Sequence, residues 1–368
     1  MKVAVVHYWW LSNRGGEAVV SAIVSAFPQA DVFIHVCDRD LVIKTLGPDF
    51  KGNVYNTFIS KLPGAKKHYQ KYLPLMPLAL EQLDLTAYDL IISSESGPAK
   101  GVITRPDAVH ICYCHSPMRY VWDMYYSYVA GAGRLIRTLF PFIAHWLRVW
   151  DRASADRVDH FVANSTFVAS RIKKFYRRES DVVFPPVNAT LFDHTRTRGD
   201  FYLCLGQLVG YKRADLVVEV FNKLNLPLVV IGEGELFEKL KETAGPNVTL
   251  MGRQPFNVVK DHLERCKALV FPGLEDFGIV PVEAMAAGAP VIAYGKGGAL
   301  DTVVDGKTGI LFADQTFEDL EQAILAMENG KFQFDPSYLH DHAMQFEKNV
   351  FLDRFMAIVN QSVNAPKK

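Results

Sequence analysis

Two carboxylates eight residues apart give the first chemical lead in this chain. Glu275 and Glu283 flank Phe277-Gly278 in the stretch Phe271-Pro-Gly-Leu-Glu-Asp-Phe-Gly-Ile-Val-Pro-Val-Glu-Ala-Met-Ala-Ala-Gly288. A carboxylate accepts hydrogen bonds at two oxygens and donates none when ionised, so such a pair suits a ligand with several hydroxyls. Upstream, Gly206-Gln207 leads to Lys212 and Arg213, cations that would offset a diphosphate. His115 follows the apolar run Val109–Cys114, and Gly15-Gly16 lies between the first apolar run and the first helical pattern. Taken singly, each has a plainer account. An acid near a helix start complements its dipole, a loop glutamate is solvated, a lone histidine is structural, and a glycine pair makes a tight turn. Their common placement at strand ends favours a binding site.

The elements that must position these residues alternate. Short apolar runs at 2–7, 30–36, 89–93, 109–114 and 159–163 read as strands buried on both faces, with helical patterns between them. The alternation restarts at Phe201–Leu205 and continues through Leu228–Ile231, Val248–Met251, Ala268–Phe271, Val291–Ala293 and Ile310–Phe312. This predicts an α/β fold of two parallel-sheet domains, residues 1–185 and 186–345, joined near the Pro185-Pro186 linker. An amphipathic helix over 346–363 is expected to pack back on the first domain. Open α/β sheets bind ligands beyond the carboxyl ends of their strands. Pro281 suits the first turn of a helix, and Gly288 with Pro290 ends it. The loops Gly232-Glu-Gly234 and Gly297-Gly298 are expected to offer exposed backbone to a ligand.

The bulk numbers narrow the class. The chain has 368 residues, is 49% hydrophobic and 22% charged, and has a formal net charge of +0, so there is no general case for nucleic acid. Residues 1–181 hold 22 of the 40 Lys+Arg and 16 of the 40 Asp+Glu, leaving 18 against 24 in the remainder. The basic first half and acidic second half point to different partners. Cys37, Cys112, Cys114, Cys204 and Cys266 form neither a metal nor a disulfide pattern, and their odd number without a signal peptide is the usage of a reducing cytoplasm. No run reaches the roughly 18 apolar residues of a membrane span.

Two stretches break the alternation. Residues 60–85 carry Lys61, Lys66, Lys67, His68 and Lys71 among tyrosines and leucines. Residues 125–150 carry Arg134, Arg137 and Arg148 among Leu135, Ile136, Leu139, Phe140, Phe142, Ile143, Trp146 and Leu147. Basic, aromatic and aliphatic residues together suit a surface lying on a membrane or gripping a lipid-linked substrate. A core helix with arginines reaching to solvent is the other reading.

A nucleoside diphosphate sugar satisfies the whole set in the second domain: cations for the diphosphate, one carboxylate for the ribose and one for the hexose. A dinucleotide fingerprint and a P-loop are both absent, which disfavours a dehydrogenase and a kinase. The two glutamates around Phe277-Gly278 resemble the E-x7-E motif of family 4 retaining glycosyltransferases. The similarity runs through Gly15-Gly16, His115, Gly206-x5-Lys212, Gly232-x-Gly234 and Asp305-Gly-Lys-Thr-Gly309. The segment Tyr113-Cys-His-Ser-Pro-Met-Arg-Tyr-Val-Trp-Asp123 is similar to bacterial mannosyltransferases of O-antigen and exopolysaccharide synthesis.

The resemblance implies the GT-B fold, two facing Rossmann-like domains with the active site between them. It implies that Lys212 holds the diphosphate and Glu283 the ribose. Glu275 would contact the donor sugar, with the backbone of Phe277, Gly278 and Ile279 nearby. His115 would meet the donor sugar, Gly15-Gly16 the phosphate or acceptor, and Arg253 would lie near the base. His115, Lys212 and Glu275 are the catalytic candidates. Gln207 stands where the family usually has arginine, and Arg213 is the candidate to compensate. The expected activity is retaining, metal-independent hexosyl transfer from GDP-mannose to a lipid-linked or glycan acceptor, by front-face displacement and with no cofactor. Nucleotide sugar and acceptor are the expected partners, in the cytoplasm or peripherally at the inner membrane face. A GT-B sugar-nucleotide epimerase, or a weakly active scaffold subunit of a polysaccharide assembly complex, are the competing readings.

Overall fold

The structure is a computed structural model that describes residues 1–13, 15–130 and 133–365; the side chains of Ser127 and of residues 134–136 are also outside the description. The side chains of Arg134, Leu135 and Ile136, named from the sequence, therefore lie outside the described residues.

The chain forms two compact units, residues 1–186 with 351–368 and residues 187–350. In the first unit the strands are β1 (Val3–Trp10), β2 (Asp31–Cys37), β3 (Val54–Asn56), β4 (Leu90–Glu95), β5 (Val109–Cys114), β6 (His160–Ala163) and β7 (Asp181–Val182). They form one sheet ordered β3-β2-β1-β4-β5-β6-β7. The pairings are parallel, with His7 opposite Ser94 where β1 meets β4. The second unit contains β8 (Tyr202–Leu205), β9 (Leu228–Ile231), β10 (Val248–Gly252), β11 (Ala268–Phe271), β12 (Val291–Tyr294) and β13 (Gly309–Phe312). Their order is β10-β9-β8-β11-β12-β13, again parallel.

Both sheets thus share one plan. Each grows outward from its first strand, then reverses and grows from the other side. The reversal falls between β1 and β4 in one unit and between β8 and β11 in the other. At such a point the loops leaving neighbouring strands diverge, and a crevice opens at their carboxyl ends. The apolar runs form these strands because helices on both faces exclude water from them; every residue of β2, β4, β11 and β12 is buried.

The last helix, Lys348–Asn364, belongs to the first unit. Phe351, Phe355 and Val359, one turn apart, lie in a core cluster with Val5, Ile23 and Tyr113. Each ring buried there contributes about 1.5–3 kcal/mol. The helix begins two residues later than its hydrophobic pattern predicts. Phe346 stays outside it, because its carbonyl accepts from Val187 N at 2.8 Å and its ring packs on Phe277. Residues 346–350 consequently belong to the second unit rather than to the returning helix.

Other differences have equally local causes. β1 extends through Trp9 and Trp10, past the expected end at His7, because Trp10 is fully buried in the core. Gly15 and Gly16 open the helix Gly15–Ala26 instead of forming a turn before it. The Pro-rich linker starts as the short edge strand β7, and Pro185, lacking an N–H, cannot extend it. The two basic-aromatic stretches become 3-10 and α-helical turns over 58–81 and the helices Tyr125–Ala130 and Arg134–Ala155. No helix of the described residues is long and apolar enough to cross a membrane.

Candidate functional site

In the second unit, the β8–β11 switch point carries a recess. It is lined by Gly206, Gln207 and Lys212 from the loop after β8 and by Pro272, Gly273 and Glu275 from the loop after β11, among others. Lys212 Nζ and Glu275 Oε1 form an ion pair at 2.7 Å, each side chain about one-fifth exposed. The two residues are 63 positions apart in the chain, and parallel pairing of β8 with β11 is what joins them. Cys204 also lines the recess. Burial pushes its thiol up to about 12, so it supplies no thiolate nucleophile at neutral pH.

Close backbone packing holds these loops. A Cβ on Gly298 would lie 2.2 Å from Phe277 Cα, and Gly298 N donates to the Glu275 carbonyl at 2.9 Å. Gly297-Gly298 therefore buttresses the Glu275 loop from behind. The sequence reading assigned this pair exposed backbone, and the structure corrects that: both glycines are buried. Gly232 likewise approaches the other loop, where an added Cβ would sit 1.8 Å from the Gly206 carbonyl oxygen. A third brace comes from Gln315, which donates to the Pro272 carbonyl at 2.6 Å. Nothing in the local sequence marks Gln315; only the fold brings it to the loop.

Glu283 lies in the helix Ile279–Ala286, which starts at Gly278 in a left-handed conformation with φ 89. The carboxyl is half-buried, and burial pushes it up to about 7. A group poised there gains by accepting hydroxyl donors, which favour its charged form. Phe277 is buried, while Ile279 at the helix start is partly accessible. Two expected members stand apart. Arg253 follows β10, is exposed and does not line the recess. Arg213 also lies off the recess, its guanidinium committed to Asp215 at 3.3 Å and to the Gln315 carbonyl at 3.2 Å. These contacts tie it to the Gln315 brace, beside the recess that Gln207 lines.

In the first unit, the β1–β4 switch point gathers a second set. His115 Nε2 lies 2.8 Å from Ser94 Oγ, and His7 Nδ1 lies 3.1 Å from the same oxygen. Burial lowers His115 to about 3, with His7 beside it adding to the effect. Gly16 packs against this cluster: a Cβ there would meet Tyr8 Oη at 2.5 Å and lie 3.7 Å from His115 Nε2. Ser94 belongs to the polar strand end Ser93-Ser-Glu95, which was visible in the sequence. His7, the one polar side chain in an otherwise apolar run at the start of β1, was the signal that went unused.

Behind this set lies a buried ion cluster. Lys100 Nζ pairs with Glu95 Oε1 at 3.3 Å and with Asp151, all three fully buried. Asp151 also accepts from Trp122 Nε1 at 2.7 Å and from Tyr176 at 3.0 Å, and Glu95 Oε2 accepts from Ala99 N and Lys100 N. Burial alone would lower the lysine; Asp151 and Glu95 more than offset it and hold the ammonium charged. Glu95 belongs to the polar strand end seen in the sequence, but nothing local marks Lys100 or Asp151 as its partners; the three meet through β4, the turn after it and a helix 51 residues on from Lys100.

Two family models match the chain: glycosyl transferases group 1 over residues 192–349 and glycosyltransferase family 4 over residues 13–191. An uncharacterized glycosyltransferase of Methanocaldococcus jannaschii is 28% identical over 178 residues, 47% of this chain and 50% of that protein. An alpha-1,3/1,6-mannosyltransferase of Dictyostelium discoideum is 26% identical, with 79% of this chain and 77% of that one covered. An O-antigen chain mannosyltransferase of Salmonella typhimurium is 25% identical, covering 50% and 58%. The matched part is therefore about half the length of the first and third of these relatives. Among solved structures, Anabaena HepE in complex with UDP shares the fold with a TM-score of 0.71 at 14% identity, covering 98% of this chain and 100% of that one. Two Rossmann-like units on one plan are the GT-B architecture, and with both family models matching in sequence order over residues 13–349, the chain belongs to the family 4 glycosyltransferases.

Proposed function

We propose that this protein transfers a hexose from a nucleoside diphosphate sugar to a lipid-linked or glycan acceptor, with GDP-mannose as the donor. The observation that carries the donor site is the Lys212–Glu275 pair over the recess at the β8–β11 switch point. Lys212 takes the diphosphate, assisted by backbone N–H groups where the helix Ile279–Ala286 begins. Glu275 then turns to the sugar hydroxyls and Glu283 to the ribose. His115 meets a sugar hydroxyl, Gly15-Gly16 a phosphate or the acceptor, and Arg253 the region of the base. The mannose preference rests on the mannosyltransferases among the relatives; the UDP in the HepE structure supports a nucleotide partner without choosing the base.

The reading of mechanism follows from what the recess offers. Among the described residues that line it, Lys212 and Glu275 are the only charged side chains, a cation and a single carboxylate. Front-face displacement with retention fits this arrangement: the bond from the anomeric carbon to the diphosphate oxygen breaks while the acceptor oxygen bonds on the same face, and the leaving phosphate oxygen takes the acceptor proton. Lys212 stabilises the charge that develops on the leaving group. Metal independence and the lack of a cofactor are part of this proposal. Transfer that survives EDTA supports it, and loss restored by magnesium overturns it.

Peripheral membrane contact is the remaining part. The helix Arg134–Ala155 buries Ala144, Leu147 and Trp150 in the core and exposes Leu139, Phe142, Trp146 and Val149 along another face, Phe142 being 75% exposed. Its single acidic residue, Asp151, is buried, while Arg137 is exposed. Leu73 and Leu80 of the lysine-bearing 58–81 segment join Phe140 and Ile143 of this helix in one cluster, so both basic-apolar stretches share a side of the unit. That composition suits an anionic lipid surface. Sedimentation with anionic vesicles at low salt tests it: Phe142→Asp/Trp146→Asp should lose binding, and a wild-type chain that ignores the vesicles refutes the contact.

The first experiment for donor identity is a thermal-shift panel of nucleotide sugars, because a ligand bound only by the native state raises Tm. A shift with GDP-mannose, followed by transfer to a lipid extract with the product anomer read by NMR, supports the proposal. Shifts confined to UDP-sugars overturn the mannose assignment.

A further inference from the structure

Ser94 has one hydroxyl hydrogen and two imidazole neighbours, His7 Nδ1 at 3.1 Å and His115 Nε2 at 2.8 Å. It can donate to one of them only and must accept from the other. The direction is decided at the far end of the chain of contacts. His7 Nε2 is fully buried and lies 4.0 Å from Glu17 Oε1, in the first turn of the helix Gly15–Ala26. An N–H pointing at that carboxylate is favoured and a lone pair is repelled. A neutral His7 therefore carries its hydrogen on Nε2 and accepts from Ser94 at Nδ1. Ser94 in turn accepts from His115 Nε2–H. One alternative direction would aim two lone pairs at each other, and the other would aim the His7 lone pair at Glu17.

We propose that Ser94 and His7 are positioning residues that fix the tautomer of His115, so that His115 offers an Nδ1 lone pair to a sugar hydroxyl of the donor. The part played by the sugar rests on the transfer reading above; the tautomer does not. His7 and Ser94 are fully buried and His115 is part-buried, so a mismatched pair of donors or acceptors at the His7–Ser94 contact has no water to turn to. The register supports it: His7 and Ser94 are direct partners across β1 and β4, and His115 N donates to the Glu95 carbonyl at 2.8 Å, which anchors the residue just past β5. Among the described residues, the polar and charged groups near the cluster include Glu17, the buried His35, which interacts electrostatically with His7, Tyr8 and Trp10, whose rings lie 4.0 and 5.7 Å from that of His7, and Tyr113, 5.1 Å from that of His115. Glu95, the neighbour of Ser94, is already occupied by Lys100. The low value of about 3 for His115 agrees with an imidazole that stays uncharged at neutral pH.

The test uses the full chain labelled with 15N-histidine and two-bond 1H–15N correlation spectra, with His115 assigned by His115→Gln. The wild type should show His115 protonated on Nε2 alone, unchanged between pH 5.5 and 8 (roughly the window in which free histidine titrates). Ser94→Ala should release it into mixed tautomers that titrate, and Ser94→Thr should restore the single form. His7→Asn, which keeps an acceptor for Ser94, should preserve the tautomer, and His7→Leu should lose it. Donor turnover should fall roughly tenfold in Ser94→Ala, about one hydrogen bond's worth, with a new acidic limb in its pH profile. A wild-type His115 protonated on Nδ1, or a Ser94→Ala spectrum identical to wild type in a folded protein, overturns the proposal. Should the spectra behave as stated while no nucleotide sugar is turned over, the positioning pair stands and the transfer reading fails.

Discussion

Replacing Glu275 with glutamine should move two ligands in opposite directions. Lys212 pairs with Glu275 at 2.7 Å, so a diphosphate competes with a carboxylate for the cation. The pair is 21% and 22% exposed, which places it between a surface pair and a buried one. Allowing for screening by solvent, breaking it costs about 1 kcal/mol, the upper end for accessible ion pairs. Glu275→Gln removes that competitor while keeping the side chain's shape. Because 1.4 kcal/mol is a factor of about ten, the affinity for a bare nucleoside diphosphate, UDP or GDP, should rise by roughly fivefold. Sugar transfer should fall instead. The lost charge-assisted hydrogen bond to the sugar is worth about 1.5–3 kcal/mol, or on the order of 10–100-fold in kcat/KM. Calorimetric titration with each diphosphate and steady-state turnover with the nucleotide sugar read the two effects. The gain in diphosphate affinity should shrink in high salt, where accessible charges are screened. If the variant binds the diphosphate more weakly, or if both ligands move the same way, Lys212 and Glu275 do not exchange partners on donor binding.

Three further outcomes follow from the packing and charges. Lys100→Met leaves Glu95 and Asp151 buried without their cation, which should cost roughly 3–5 kcal/mol in urea unfolding of the first unit; the loss should shrink as pH falls and the stranded carboxylates take up protons, and a loss below about 1 kcal/mol at pH 7 would count against the ion cluster. Glu283 has a folded-state carboxyl raised to about 7, so its proton stabilises the fold at low pH and that contribution fades as pH rises from the unfolded carboxyl value toward 7. Glu283→Gln should therefore match wild type near pH 4 and exceed it by up to about 3 kcal/mol at pH 8, from about 1.36 kcal/mol per pH unit; a pH-independent difference in chemical unfolding would contradict this. Gly298→Ala pushes a methyl into the Phe277 backbone and should cost about 1–3 kcal/mol, with turnover lost through displacement of Glu275; full turnover in this variant would show that the loop does not depend on that contact.

The local chemistry of this chain was legible because local rules write it. Apolar runs long enough for one strand, helical periodicity between them, Pro281 inside a helix start and Gly288 after its end all depend on neighbours within a few residues. Glu275, Glu283, Lys212 and His115 could be chosen in the same way, by residue type at a strand end. The family resemblance then added roles that spacing alone could not assign.

Tertiary structure decided which of these residues meet. The ion pair of Lys212 with Glu275 exists because β8 and β11 lie side by side, a pairing that skips two strands in the sequence. The glycines at 297–298 changed meaning for the same reason: their pattern suggests a loop open to ligand, yet the missing Cβ serves contact with Phe277 from the preceding loop. Arg213 stands one residue from Lys212 in the sequence, and only the fold brings its guanidinium to the carbonyl of Gln315, 102 residues on. The contacts of His7, Ser94, Lys100 and Asp151 were out of reach of sequence alone, since burial and a partner on another strand or helix are what turn a histidine in an apolar run, or a lysine after a strand, into part of a buried network. Sequence determined the elements and the chemical types at their ends; the sheet order, which long-range burial and crossover connections impose, decided which ends face each other.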